Sequence, residues 1–126
     1  MGDSEGVEVE VKINPFSHMT IYEQVKKVME GKKGMVVTSG FIKNELRNKL
    51  GVNTSSVVPS DFCYNRVNDG IGFRKDNRIF KYIRRNAYEY IGENYPYTVK
   101  IFHKPFKSKT EVVVGEWVKG ELKYPL

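Results

Sequence analysis

The sequence predicts an α+β fold, with three helices that precede a β-hairpin and additional strands toward the carboxyl end. Apolar residues recur at helical spacing in residues 20–30 and again in residues 40–50. A shorter segment after Pro59 begins with a serine, which commonly caps a helix. Residues 78–91 and 98–122 alternate apolar with polar side chains and contain turn residues, which is typical of strands joined by short turns.

The composition predicts a single domain with a hydrophobic core and a polyanionic partner. Of the 126 residues 40% are apolar, and 21 basic against 15 acidic residues give a net charge of +6. Positions 1–10 hold four acidic and no basic residues, so the other 116 residues hold 21 basic and 11 acidic side chains, a net charge of +10. A basic body suits nucleic acid, although basic charge also serves solubility alone.

The single cysteine, Cys63, excludes an internal disulfide and a zinc site built from several cysteines. We therefore predict a reduced, cytoplasmic compartment and a buried, unreactive thiol. No apolar run approaches the roughly 20 residues that a membrane-spanning helix needs. The first residues also lack the basic and apolar regions of a signal peptide. We expect no membrane partner.

Three segments are predicted along the chain. Residues 1–13 form an acidic leader and a strand, because valine and isoleucine alternate with charged residues from Val7 onward. Residues 14–97 form the main domain. Residues 98–126 form a β extension that packs on the same domain.

The first two helices are predicted from their caps and apolar stripes. The first begins at Ser17 or Thr20 and runs to about Glu30. A short apolar strand follows at 35–37, and the second helix spans Gly40–Leu50. The basic side chains on its outer face that we expect to contact phosphate are Lys43 and Arg47.

The third predicted helix spans Ser60–Val67 and ends before Gly70, which can adopt the left-handed geometry of a helix end. Its outward side chains are Tyr64, Asn65 and Arg66. Asparagine can bond adenine, and arginine guanine, through two hydrogen bonds, so these side chains could read or fit a DNA groove. Alternatively, Asn65 and Arg66 bond nearby carbonyls and hold the fold together.

A basic β-hairpin follows, with strands at Arg78–Ile83 and Ala87–Ile91 and a turn at 84–86. Its charge could follow a phosphate backbone, or insert an arginine into a minor groove. The alternative is a sheet edge whose charge prevents aggregation. Together with serines that can donate to phosphate, the predicted nucleic-acid contacts are Lys43, Arg47, Ser55, Ser56, Ser60, Tyr64, Asn65, Arg66, Arg74, Lys75, Arg78, Arg84 and Arg85.

This order of elements resembles winged helix-turn-helix DNA-binding domains. The resemblance implies that helix 60–67 enters the major groove and that hairpin 78–91 acts as the wing. The segment Ser56–Arg66, SVVPSDFCYNR, is similar to a recurring signature in small bacterial and phage proteins, as are Gly92–Tyr97 and Gly115–Trp117. That likeness implies no established activity. The short third helix with its proline departs from the usual long recognition helix.

No enzymatic site is predicted. His18 and His103 are the only histidines and lack metal-binding spacing, while Asp61, Asp69 and Asp76 are spread over different predicted elements. A metal site that uses both histidines and Asp61 is an open alternative. We predict a non-enzymatic protein, without metal or cofactor, that binds nucleic acid, with duplex DNA favoured.

The second function class is a protein-interaction module. An example is a phage or bacterial inhibitor of a host nucleic-acid-binding machine. Aromatic side chains commonly anchor such interfaces. The tyrosines predicted for this role are Tyr82, Tyr88, Tyr90, Tyr95 and Tyr97. These side chains could equally pack within the core or against a sheet.

Overall fold

The computed structural model describes residues 14–68 and 77–126. These residues form two α-helices and seven β-strands: α1 (Ile21–Val28), β1 (Val36–Val37), α2 (Ser39–Glu45), β2 (Arg66–Val67), β3 (Phe80–Arg84), β4 (Ala87–Tyr90), β5 (Val99–His103), β6 (Val112–Val118) and β7 (Glu121–Lys123). Tight single helical turns lie at Pro15–His18 and Pro59–Phe62, and a wider turn at Leu46–Leu50 extends α2. The leader and strand predicted at 1–13 lie outside the described residues.

The strands form two sheets. The first has the order β1-β4-β3 and is antiparallel. The second has the order β2-β5-β6-β7, in which β2 runs parallel to β5 and the other pairs are antiparallel. The C-terminal strands therefore join the rest of the chain through the β2–β5 pair, with Arg66 opposite Phe102 and Val67 opposite His103.

Both α-helices begin at threonines that cap them. The Thr20 hydroxyl accepts the Glu23 N–H at 3.1 Å, and the Glu23 carboxylate accepts the Thr20 N–H at 2.8 Å. The Thr38 hydroxyl accepts the Phe41 N–H at 3.0 Å. These are the first two helices that the sequence predicts. Within residues 14–68 and 77–126, no helix is long and apolar enough to cross a membrane.

Two hydrophobic clusters form the interior. The helices contribute to the cluster on the first sheet, where Val25, Met29, Ile42, Leu46 and Phe80 are fully buried. The second cluster lies on the second sheet and is rich in aromatic rings. Its buried members are Tyr64, Val67, Tyr97, Ile101 and Trp117.

The prediction of a third helix over Ser60–Val67 is wrong, and the winged helix-turn-helix fold is wrong with it. In the described part of the chain, the segment makes one tight helical turn at Pro59–Phe62, pairs with β3 at Cys63, turns again at 64–65 and then enters β2. Two helices and two sheets replace the expected three helices and wing. The predicted cap, Ser60, lies inside this turn, which begins at Pro59 and has no side-chain cap.

We call Pro59–Asn68 the signature segment. Hydrogen bonds to both sheets keep it from forming a helix beyond the first turn. The Tyr64 N–H donates to the Phe80 carbonyl on β3 at 2.8 Å. The Phe102 N–H on β5 donates to the Asn65 carbonyl at 3.1 Å. Because both sheets satisfy its backbone groups, tertiary pairing overrides the local helix signal.

Side chains of the signature segment also bond both sheets, and we call this junction between the segment and the two sheets the seam. The Asn65 amide acts as a strand partner for β3: its Nδ2 donates to the Tyr82 carbonyl at 3.0 Å, and its Oδ1 accepts the Tyr82 N–H at 2.8 Å. Tyr64 is 2% exposed, and its hydroxyl donates to the Gly92 carbonyl at 2.8 Å. The Trp117 indole N–H donates to the Tyr64 carbonyl at 2.8 Å. Asn65 and Tyr64 therefore hold the two sheets together.

Arg78 is also structural. Its side chain is buried, and Nη1 donates to the carbonyls of Asp61 and Cys63 in the signature segment. The Cys63 thiol is fully buried, as predicted, and burial raises its pKa well above the usual range. A thiol held in its protonated form is a poor nucleophile.

The hairpin predicted after the third helix is present as β3 and β4, with Phe80 opposite Tyr90. Residues 85–86 connect the strands, and Asn86 adopts a left-handed φ of 60°. Its Oδ1 accepts the Ser39 N–H at 2.8 Å, which fixes the turn against the start of α2. The hairpin is thus one half of a packed sheet, completed by β1, rather than a projecting wing.

The loop that begins at Gly92 is tied to α1 through Glu93. The Tyr22 hydroxyl donates to the Glu93 carboxylate at 2.5 Å, and Lys26 Nζ lies 3.1 Å from the same carboxylate. The hydrogen bond from Tyr22, followed by the contact with Lys26, lowers the pKa of Glu93 below its ordinary value of 4.5. Glu93 is therefore stabilised in its ionised form by the fold.

We expect Glu93→Gln to make thermal stability less sensitive to acid. A carboxyl whose pKa is lower in the folded state stabilises the fold above its unfolded pKa, and this contribution is lost as pH falls through the folded pKa. Between about pH 5 and pH 3 the wild type should therefore lose more of its thermal midpoint than the variant. Melting followed by circular dichroism measures both. Parallel losses would mean that ionisation of Glu93 adds no stability to the fold.

Candidate nucleic-acid interface

A polar cleft of about 410 Å³ opens between the signature segment, the β3–β4 hairpin and the connection from β5 to β6. Its lining residues are Ser60, Arg66, Asn68, Tyr82, Arg85, Asn86, Tyr88, Lys104 and Glu111. We call it the cationic cleft, because these lining residues include three basic side chains and one acidic side chain. Strand pairing creates it: the seam places Arg66 between the hairpin and the end of β5.

Arg66 is held from two sides. Its guanidinium carbon lies 4.3 Å from the centre of the Tyr82 ring, and Nη1 lies 2.6 Å from Glu111 Oε2. The Arg66 side chain is 16% exposed, whereas that of Glu111 is 43% exposed. The carboxylate is thus the partner on the solvent side. An incoming anion could replace Glu111 while Arg66 keeps its position on the ring.

Neutral polar groups line the rest of the cleft. The Asn68 amide donates to Ser60 Oγ at 2.8 Å and to Asp61 Oδ1 at 2.7 Å. Tyr88 is buried, and burial raises the pKa of its hydroxyl above the ordinary value of 10.0. Hydroxyl and amide groups beside arginines are the usual ligands of phosphate and sugar oxygens.

The comparisons with known proteins identify a family. A family model described as "Domain of unknown function (DUF7225)" matches residues 20–124. This chain belongs to the DUF7225 family. A relative from Bacillus subtilis (strain 168), "Uncharacterized protein YnaC", is 46% identical over 102 residues. That match covers 81% of this chain and 38% of the relative, so the chain spans less than half of the relative's length. No solved structure matches.

The DUF7225 match begins at the cap of α1 and extends beyond β7, so it includes both sheets and every residue of the cationic cleft. The relative's printed name assigns no activity.

Some of the predicted contacts meet at the cleft. Ser60, Arg66 and Arg85 line it together, although they come from the signature segment and the hairpin turn. Arg84, the last residue of β3, is exposed and precedes Arg85 in the sequence. Among the described basic residues of the hairpin, Arg85 lines the cleft in the DUF7225 domain, without the helix that was expected to accompany it.

Other predicted contacts lie elsewhere in the DUF7225 domain. Tyr64 and Asn65 bond other parts of the fold, Tyr64 from a buried position, so the outward face on which they were predicted to read a DNA groove does not form. Arg78, predicted as a nucleic-acid contact of the hairpin, is buried and bonds the signature segment. Arg47 donates to Thr54 Oγ1 at 2.8 Å. The remaining predicted contacts on α2 and the following loop, which do not line the cleft, are Lys43, Ser55 and Ser56. Arg74 and Lys75 lie outside the described residues.

Sequence reasoning missed several residues of the cleft. Lys104 follows β5, and Glu111 precedes β6; both reach the cleft because β2 pairs with β5. Asn86 was assigned to the hairpin turn only. Lys104, Lys107 and Lys109 form a basic run in the sequence, but its position depends on a strand pair with partners 36 residues apart.

The tyrosines predicted as interface anchors are mostly inside the DUF7225 domain. Tyr88, Tyr90 and Tyr97 are buried, and Tyr82 is half-buried under Arg66. Tyr95 is 46% exposed. Across residues 14–68 and 77–126, no three histidine, cysteine, aspartate or glutamate side chains come together to hold a metal ion. His103 Nδ1 lies 2.9 Å from the Val67 carbonyl, as part of the β2–β5 edge.

Proposed function

We propose that this DUF7225 domain is a non-enzymatic, cytoplasmic module that binds nucleic acid, with duplex DNA favoured, through the cationic cleft and the adjoining hairpin turn. One observation supports this most directly. Arg66, Arg85 and Lys104 come from three separate parts of the chain and line one cleft, with Arg84 exposed beside it. Convergence of cations on one surface is the electrostatic footprint of a phosphate-binding face.

The chemistry of each group fits phosphate. Arginine offers a planar set of donors that can hold two phosphate oxygens at once, and Arg66 is already oriented by the Tyr82 ring. Lysine adds a point charge, and the Asn86 amide can add a neutral donor. The geometry favours contact with the backbone over direct reading of bases.

Binding should be tested with labelled duplex DNA between about 50 and 200 mM salt, because each phosphate contact contributes roughly 0.9 to the slope of log affinity against log salt. We expect Arg85→Gln and Lys104→Gln each to lower affinity about 3- to 10-fold at low salt and to reduce that slope by about one. Lys27→Gln, an exposed lysine on α1, is the matched control.

Glu111→Gln should act in the opposite direction. It removes the carboxylate that pairs with Arg66 and raises the charge of the cleft, so affinity should rise by a similar factor. Absence of binding to any duplex at low salt would overturn the proposal. So would equal effects of Arg85→Gln and Lys27→Gln, because they would reduce the cleft to one part of a general positive charge.

A protein partner is the second proposal, and exposed apolar side chains near the start of β6 favour it. Phe106 is 80% exposed, and Val112 and Val113 on β6 are 45% and 40% exposed. Exposed apolar surface can mark a contact with another protein. In that case binding would depend weakly on salt, and Phe106→Ser would weaken it while Arg85→Gln would not.

A further inference from the structure

A second cavity, of about 350 Å³, lies between the loop after β4 and the β6–β7 turn. Its lining residues are Tyr64, Asn94, Tyr95, Pro96, Trp117, Lys119 and Gly120, and we call it the aromatic pocket. It shares no lining residue with the cationic cleft. Most of these residues belong to the two shorter motifs noted in the sequence, Gly92–Tyr97 and Gly115–Trp117. The proposed phosphate contacts use neither motif.

Four aromatic rings pack in series at this pocket. The centroid of the Trp117 ring lies 5.2 Å from that of Tyr64, edge to face, and Tyr64 stacks on Tyr97 at 5.2 Å. Tyr97 in turn contacts Tyr95 at 5.6 Å. The first three rings are buried, whereas Tyr95 is 46% exposed. The series therefore ends in a ring that water still reaches at the mouth of the pocket.

Hydrogen bonds fix the floor of the pocket before any ligand arrives. The Trp117 indole N–H donates to the Tyr64 carbonyl at 2.8 Å, and the Tyr64 hydroxyl donates to the Gly92 carbonyl at 2.8 Å. The Tyr95 N–H donates to the same hydroxyl at 3.3 Å. An aromatic floor that is already ordered loses little freedom when a flat ligand stacks on it.

The rim contains a lysine in an unfavourable backbone conformation. Lys119 and Gly120 connect β6 to β7 in a two-residue turn, with φ values of 50° and 84°. Asparagine or aspartate before glycine suits such a turn, whereas other side chains at the left-handed position are strained. The Lys119 N–H donates to Thr98 Oγ1 at 2.9 Å, and the Gly120 N–H to the Tyr97 carbonyl at 2.9 Å. Strain that neighbours hold in place at a cavity points to a functional side chain.

We propose that the aromatic pocket binds an unpaired nucleobase, stacked on Tyr95, with the phosphate of the same nucleotide beside the ammonium of Lys119. A cavity near the lower end of the range for small-molecule sites, about 300–1,000 Å³, suits a single flat ring system. Base stacking on exposed aromatic rings beside a cation is the usual mode of holding an unpaired nucleotide. The inference deepens the proposed function, on which it rests for the strand that would supply the base.

The experiment uses Trp117, which is the single tryptophan of the chain and part of the pocket floor. The full chain is titrated with AMP, GMP, CMP and TMP, with ribose 5-phosphate as the control without a base, while tryptophan emission is recorded. We expect a saturable change with nucleotides and none with ribose 5-phosphate. No saturable change with any nucleotide, or the same change with the control sugar, would overturn the inference.

Two variants test the two halves of the site. Tyr95→Ala should weaken nucleotide binding by about 5- to 100-fold, because it removes the exposed stacking surface. Lys119→Gly should weaken binding roughly 2- to 5-fold by removing an exposed charge. It should also raise the thermal midpoint by roughly 1–4 °C, because glycine tolerates the left-handed turn. Unchanged affinity in both variants would place any bound nucleotide outside this pocket and refute the inference.

A third variant separates this inference from the proposed function. Arg85→Gln should lower duplex binding but leave the AMP titration unchanged, because Arg85 lies in the other cavity. If the protein binds duplex DNA but gives no response to any nucleotide, the pocket inference alone is refuted. If it responds to nucleotides but binds no duplex, the proposed role of the cleft alone is refuted. A single-stranded oligonucleotide that binds more tightly than AMP identifies the source as a strand. Equal or weaker binding identifies it as a free nucleotide.

Discussion

Asn65→Ala should lower the free energy of unfolding by about 2–4 kcal/mol. The Asn65 amide gives β3 one donor and one acceptor, at 3.0 and 2.8 Å from the Tyr82 carbonyl and N–H. Alanine would leave both backbone groups without these partners in a partly buried position, and each costs about 1–3 kcal/mol. Urea denaturation followed by circular dichroism measures the change, with the slope of the transition as a check for two-state behaviour.

Asn65→Asp is the matched variant. Its carboxylate can still accept the Tyr82 N–H, but at neutral pH it places negative charge against the Tyr82 carbonyl. The deficit relative to wild type should therefore shrink as pH falls and the new carboxyl gains a proton that it can donate. If Asn65→Ala instead unfolds within about 0.5 kcal/mol of wild type but loses DNA binding, Asn65 is a contact residue, as the groove-reading interpretation of the sequence held.

The elements that could be predicted are those with local signals. The caps at Thr20 and Thr38 and the apolar stripes that follow them define α1 and α2 without reference to the rest of the chain. The turn at 119–120 and the hairpin at 80–90 are also local. In the signature segment the local signal from Ser60 and Asp61 was misleading, because the single turn there begins at Pro59 without a side-chain cap.

The sequence does not show which distant residues bond the signature segment and keep it from forming a longer helix. Its backbone bonds reach β3 and β5, and its side chains bond Tyr82, Gly92 and residues still further along the chain. The same distance explains the cleft. Arg66 and Glu111 are 45 residues apart, and no spacing rule connects them. Arg66 was predicted from its place on the expected third helix and Arg85 from the charge of the hairpin, whereas Lys104 needed the β2–β5 pair.

Arg78 shows why charge alone misassigned part of the site. In the sequence it is one more arginine of a basic hairpin, yet it is 3% exposed and bonds the carbonyls of Asp61 and Cys63. Arginine is suited to this task because its fan of donors can satisfy several carbonyls at once. A pattern of charges in the sequence does not distinguish a buried cation that stabilises the fold from an exposed cation that can bind a ligand.

Arg78→Met should therefore lower the free energy of unfolding by about 2–4 kcal/mol, because the variant leaves buried carbonyls without a donor. Arg85→Met, the same change at an exposed position of the same hairpin, should alter it by less than about 0.5 kcal/mol. For duplex binding we expect the reverse order, measured under conditions where both variants are folded. If Arg78→Met leaves stability intact and abolishes binding, the cation at position 78 serves the ligand. Arg78 would then belong to the binding site and not to the contacts that hold the two sheets together.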